Sequence, residues 1–228
     1  MQISRSLAHD ILHRRCCALH VLSNVTTRIS PDMVHPDTEL RFVNPSIGWG
    51  VFATRAIPRG TIIWALDLLD QRFMPAEIQA MPAYARVMLE KYSYVDALGD
   101  YVLCWDHARF FNHSCAANCL SVGYDFELAI RDIAAGEELT DDYGTLNPAE
   151  PFGCDCSAAE CRVQVLPDDY LHSGERWNAL ARDAFVRIRT VPQPLWDVLG
   201  ERDVIDAALD NPALLRPIHH HFPSARGV

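Results

Sequence analysis

Arg109-Phe110-Phe111-Asn112-His113-Ser114-Cys115-Ala116-Ala117-Asn118 is the stretch on which the reading of this chain turns. It sets an amide, an imidazole and a thiol behind two aromatic rings, so hydrogen-bonding and metal-binding groups share one loop. Taken alone, Asn112-His113 also suits a buried, hydrogen-bonded core pair. Downstream, Gly136-Glu137-Glu138-Leu139-Thr140-Asp141-Asp142-Tyr143-Gly144 reads as a turn running into a strand. Beyond it, Cys154, Cys156 and Cys161 place three thiols close together while the other cysteines are scattered. Clustered thiols of this kind are a metal signal, because thiolate sulfur suits zinc.

Upstream, Gly48-Trp49-Gly50-Val51-Phe52-Ala53-Thr54-Arg55 and Thr61-Ile62-Ile63-Trp64-Ala65 are β-rich runs flanking Pro58-Arg59-Gly60, a pattern that predicts a hairpin. Ile78, Met81, Tyr84, Ala85, Met88 and Leu89 recur at helical spacing between Pro75 and Tyr92. Short strands are expected at Tyr101 to Trp105, Cys119 to Val122 and Phe126 to Ile130, with Gly123 and Asp125 supplying turns. Leu7 to Leu22 has the apolar stripe of a helix, and Trp177 to Ile188 traces another. Shorter helices are expected at Leu195 to Leu199 and Val204 to Leu209, between prolines.

These four motifs, in this order, resemble the SET-domain family of lysine methyltransferases. Gly48-Trp49-Gly50 is similar to the family's Gly-x-Gly element, Arg109 to Asn118 to its Asn-His-Ser-Cys element, Glu138 to Tyr143 to its Glu-Leu-Thr-x-Asp-Tyr element, and Cys154, Cys156 and Cys161 to its post-SET cysteines. The resemblance implies a mainly β fold with some helix: small curved β-sheets around a pseudoknot, with a helical C-terminal tail. It divides the chain into an N-terminal extension (1–38), a SET domain (39–146), a post-SET zinc segment (147–166) and a C-terminal extension (167–228).

The resemblance also implies a function, methyl transfer from S-adenosylmethionine to a lysine amine of a protein. Tyr143 is then the catalytic tyrosine, and Tyr101 a second channel tyrosine or a core residue. Gly48, Trp49, Gly50, Asn112, His113 and Tyr143 would hold the cosubstrate. Cys115, Cys154, Cys156 and Cys161 would bind a structural zinc, with Cys119 the rival fourth ligand. Three departures stand out, the first a stretch between Tyr101 and Arg109 that is shorter than in many relatives. Ala117 replaces a proline, and Asp141 occupies the position where the family usually has an aromatic or aliphatic residue. A carboxylate there either faces the lysine channel or turns to solvent. The alternative is a catalytically silent SET module that binds a peptide or scaffolds an assembly.

Bulk properties set outer limits. The 228 residues carry a formal charge of −10. An acidic surface is a poor general partner for DNA phosphate and suits a basic, lysine-containing protein or peptide. No long apolar run predicts a membrane span. Met1 to Val25 lacks the pattern of a secretory leader, so a reducing, intracellular setting (cytoplasm or nucleus) is expected, with thiols free for metal. The tail is expected to cap the substrate groove, to make a homodimer contact, or to pack on the outside of the domain.

Overall fold

The computed structural model describes residues 33–222. The helix expected over Leu7 to Leu22, with Cys16 and Cys17, lies outside the described residues. The strands are β1 (Thr38–Asn44), β2 (Gly48–Ala53), β3 (Ile62–Ala65), β4 (Gln71–Phe73), β5 (Ser93–Val95), β6 (Tyr101–Leu103), β7 (Asn112–His113), β8 (Cys119–Val122), β9 (Tyr124–Ala129), β10 (Glu138–Asp141), β11 (Phe152–Gly153) and β12 (Gln164–Val165). The helices are α1 (Pro75–Gln79), α2 (Ala83–Tyr92), α3 (Asp169–Phe185) and α4 (Arg202–Asp210).

Four small sheets result, in the orders β1-β2-β10-β7, β3-β9-β8, β4-β6-β5 and β11-β12. β10 is the hub. It runs antiparallel to β2 and parallel to β7, and the parallel pairing sets Thr140 beside Asn112 and Asp141 beside His113. Asn118 locks the crossing from the side: its Oδ1 accepts from Thr140 N at 2.8 Å and its Nδ2 donates to Glu138 O at 2.8 Å. At 1% exposure these polar groups have no water, so the pairing is what makes their burial affordable.

The expected hairpin does not form. β2 pairs with β1 and β10, whereas β3 pairs with β9. The reason lies between them: Ile57 bridges to Ile133 with paired backbone bonds of 2.9 Å, so the chain crosses from one sheet to the next and does not fold back. The single helical pattern of 75–92 becomes α1 and α2, because Pro82 has no N–H to continue the first helix.

Two cores form. Val51, Ile63, Leu139, Ile133 and Phe111 fill one, under the β10 sheet. Leu120, Phe126 and Leu128 pack with Trp177, Phe185 and Ile205 in the other, so the C-terminal helices share a core with β8 and β9. Trp177 and Phe185 are each 1% exposed, and burying such a side chain contributes roughly 1.5–3 kcal/mol. The tail is thus an integral layer of the fold.

Candidate functional site

The β7–β10 crossing gathers most of the residues singled out in the sequence. Asn112 Nδ2 donates to Trp49 O at 3.1 Å and to Glu138 Oε1 at 2.6 Å, which ties the Gly48-Trp49-Gly50 strand to β7. A Cβ at Gly50 would overlap Glu138 Oε1 and come within 2.9 Å of Asn112 Nδ2, so only glycine fits beside that bond. Gly48 has φ +90° with open space around its Cα, and Trp49 is half exposed against Phe42. This strip is a side-chain-poor shelf next to an amide, a cradle that suits a polar small molecule.

His113 links that shelf to the thiols. Its Nδ1 accepts from Tyr143 N at 3.2 Å, and its Nε2 lies 3.4 Å from Cys115 Sγ. Burial lowers the His113 pKa, against the opposing charge of Asp142, and favours the neutral ring. With Nδ1 accepting, the single ring proton sits on Nε2 and points at sulfur. Ligand atoms of His113, Cys115, Cys154 and Cys156 all lie within 4.8 Å of one another. Cys115 Sγ is 3.8 Å from Cys154 Sγ, and Cys161 Sγ is 3.6 Å from Cys154 Sγ. A tetrahedron with Zn–S near ~2.3 Å has sulfurs ~3.8 Å apart, so this cluster has the dimensions and donor set of a zinc centre. Burial raises the pKa of Cys156, but N–H groups of Cys115 and Ala158 outweigh it and bring the thiol down to about 6. Cys119 is not in this group; it is fully buried and donates to Asn118 Oδ1 at 3.4 Å.

On the other side of β10 opens a cavity of about 560 Å³. Tyr101, Tyr143, Asp141, Phe111, Tyr94 and Phe126 are among its lining residues. The Tyr143 hydroxyl donates to Phe111 O at 2.6 Å. Burial and then the Asp141 charge push its pKa above the usual tyrosine value, so the hydroxyl keeps its proton. Asp141 is 2% exposed, and the solvent-facing alternative for it does not hold. Burial, then the neighbouring Asp142 charge, raises its pKa to about 8. Arg109 stacks its guanidinium on Phe110, 5.1 Å from the ring centroid, and also reaches the cavity wall.

Three participants were not singled out from the sequence. Asp142 accepts from Arg162 Nη2 at 2.5 Å and Nη1 at 3.1 Å, and from Trp177 Nε1 at 3.2 Å. Glu127 meets Asp141 inside the cavity wall. His221 places its Nε2 2.8 Å from Tyr124 O and reaches the cavity wall.

A shelf of glycines against an Asn-His pair, a tyrosine across a parallel β-crossing and a flanking thiol cluster define a SET domain. The family model described as SET domain matches residues 48–144, and that region is a SET domain. Among its relatives, a probable inactive histone-lysine N-methyltransferase of Arabidopsis thaliana is 27% identical over 169 residues, covering 63% of this chain and 24% of that protein. An H3 lysine-4-specific histone-lysine N-methyltransferase of Schizosaccharomyces pombe is 45% identical over 62 residues, 24% of this chain and 7% of that protein. The histone-lysine N-methyltransferase ash1 of Drosophila melanogaster is 30% identical over 148 residues, 59% of this chain and 6% of that protein. The chain therefore spans no more than 24% of the length of these three relatives. Among the described residues, no helix is long and apolar enough to cross a membrane.

Proposed function

We propose that this protein transfers a methyl group from S-adenosylmethionine to the side-chain amine of a lysine in a basic protein. One observation carries the reading. The β7–β10 pairing joins the Gly48–Gly50 shelf and Asn112 on one side to Tyr143 and its cavity on the other. Two compartments meeting at one tyrosine suit a cosubstrate and an acceptor that approach from opposite faces.

Gly48, Trp49, Gly50, Asn112 and His113 would hold S-adenosylmethionine, which supplies an electrophilic methyl when bound. The chain's own work is to desolvate and align the amine. A free lysine has a pKa near ~10.4 and attacks only after losing a proton, which desolvation on entering the cavity favours. Alignment of two bound reactants is worth roughly 7–11 kcal/mol. Tyr143, held in place through Phe111 O, and Tyr101 would orient the amine. Cys115, Cys154, Cys156 and Cys161 would carry a closed, structural zinc, with His113 bonding to the Cys115 thiolate and not to the metal. The extents 39–146 for the catalytic region, 147–166 for the zinc segment and 1–38 and 167–228 for the extensions go with this reading. So does a reducing compartment that leaves the thiols free for metal. Acidic groups at the cavity, Glu90, Asp125 and Glu150 among them, suit a basic substrate.

A second reading, a silent module that binds peptide without transfer, is favoured by the name of the Arabidopsis relative, probable inactive, which matches 63% of the chain. Calorimetry with S-adenosylmethionine on the full chain and on Asn112→Ala tests what both readings share. Binding that the variant loses supports the shelf as the cosubstrate site. A wild-type chain that binds none removes the proposal.

A further inference from the structure

The cavity wall holds a second acidic residue that the tyrosines do not account for. Glu127, in the middle of β9, is 5% exposed between Phe126 and Leu128. It shares hydrogen bonds with Ser121 and Asp141, yet its Oε2 has no partner. Burial, then the Asp141 charge, pushes its pKa well above the usual carboxylate range, so Glu127 keeps a proton and donates it to Asp141. Once Asp141 gives up its own proton, near pH 8, the pair carries one negative charge. A buried acceptor left without a partner keeps the full cost of its desolvation. Two further polar atoms without partners, Trp64 Nε1 and Ser93 Oγ, belong to residues lining the same cavity. A wall with three such atoms is incomplete without a hydrogen-bonding occupant.

We infer that Glu127, together with Asp141, makes the wall of this cavity an acceptor site for the N–H donors of an alkylammonium, so that it selects a primary amine over its methylated forms. An ammonium offers three donors to Glu127 Oε2 and the free lone pairs of Asp141. Bonds of this kind, with charge on both sides, are the strong ones. Each methyl added to the nitrogen deletes one donor and leaves an acceptor bare. Aromatic rings alone would do the opposite, since cation–π attraction accepts a methylated cation readily. The carboxyl pair therefore sets the direction of the preference. That the natural occupant is a lysine side chain rests on the function proposed above, and transfer would then slow after the first methyl.

The test needs neither cofactor nor a known substrate. Butylammonium, N-methylbutylammonium and N,N-dimethylbutylammonium are titrated into the full chain, wild type, Glu127→Gln and Glu127→Leu, and followed by NMR shifts of the tryptophan indoles. Wild type should bind the primary amine about tenfold more tightly than the dimethyl form, the worth of one charge-assisted bond. Glu127→Gln, whose amide can donate to Asp141 and accept from the ammonium as the protonated acid does, should keep most of that ratio, and Glu127→Leu should abolish or invert it. Equal or better binding of the dimethyl amine by wild type overturns the inference, as does an unchanged ratio in Glu127→Leu. The amine preference, with no methyl transfer in any assay, would leave this inference standing and remove the enzymatic reading.

Discussion

Trp177 on α3 donates its indole N–H to the Asp142 carboxylate at 3.2 Å, one residue before Tyr143. The same carboxylate takes two N–H groups of Arg162 from the thiol-bearing segment. One buried acid thus ties three parts of the chain, the crossing, the thiol loop and the C-terminal helix, to the position of Tyr143.

Removing the cation should expose that dependence. Arg162→Ala leaves Asp142 buried at 2% exposure without its charge partner. A broken buried pair costs about 3–5 kcal/mol, and the partly exposed guanidinium puts this one at the low end. Urea unfolding should show a lower midpoint for Arg162→Ala and a smaller loss, about 1 kcal/mol, for Trp177→Phe.

The thiol cluster predicts one bound zinc per chain. Elemental analysis of protein purified under reducing conditions should find it, and Cys154→Ser should lose most of it. Metal removal should loosen the Phe152–Val165 segment, because β11 and β12 pair by only two residues each. Hydrogen exchange should show the change there first and leave β8 and β9 protected.

Much of this was legible in the sequence. Cys119–Val122 is a strand as expected, and the motif order brought Asn112, His113 and Tyr143 together before any coordinates. The hairpin was misread because local β patterning cannot show that Ile57 pairs with Ile133, some 76 positions on. Glu127 was missed for a related reason. Alternation in Phe126-Glu127-Leu128 reads as a solvated face, whereas β9 is covered on both sides. An acid flanked by apolar residues in the central strand of its sheet was the available signal.

Asp141 predicts a pH dependence of stability. Its folded-state pKa is raised to about 8 by burial and the Asp142 charge, while an unfolded aspartate titrates near ~3.9. Between those values the fold binds more protons than the unfolded chain, so stability falls as pH rises. The contribution is fully present below about pH 4 and lost by about pH 8. Asp141→Asn should flatten that part of the thermal-denaturation profile, leaving a higher midpoint than wild type near pH 8.

Gly50 predicts a steric block. An added Cβ overlaps Glu138 Oε1 and crowds Asn112 Nδ2, so Gly50→Ala must part the Asn112–Glu138 bond. Affinity for S-adenosylmethionine should fall about tenfold or more by calorimetry, the worth of one such hydrogen bond.

The most direct measurement of the central claim is transfer itself. Purified chain is incubated with S-adenosylmethionine carrying a labelled methyl group and a panel of basic proteins, beside a Tyr143→Phe control. Label should appear on lysine, with the control reduced at least a hundredfold, as when a group acting in the transition state is lost. Cosubstrate binding with no label on any protein, or transfer unchanged by Tyr143→Phe, would contradict the claim.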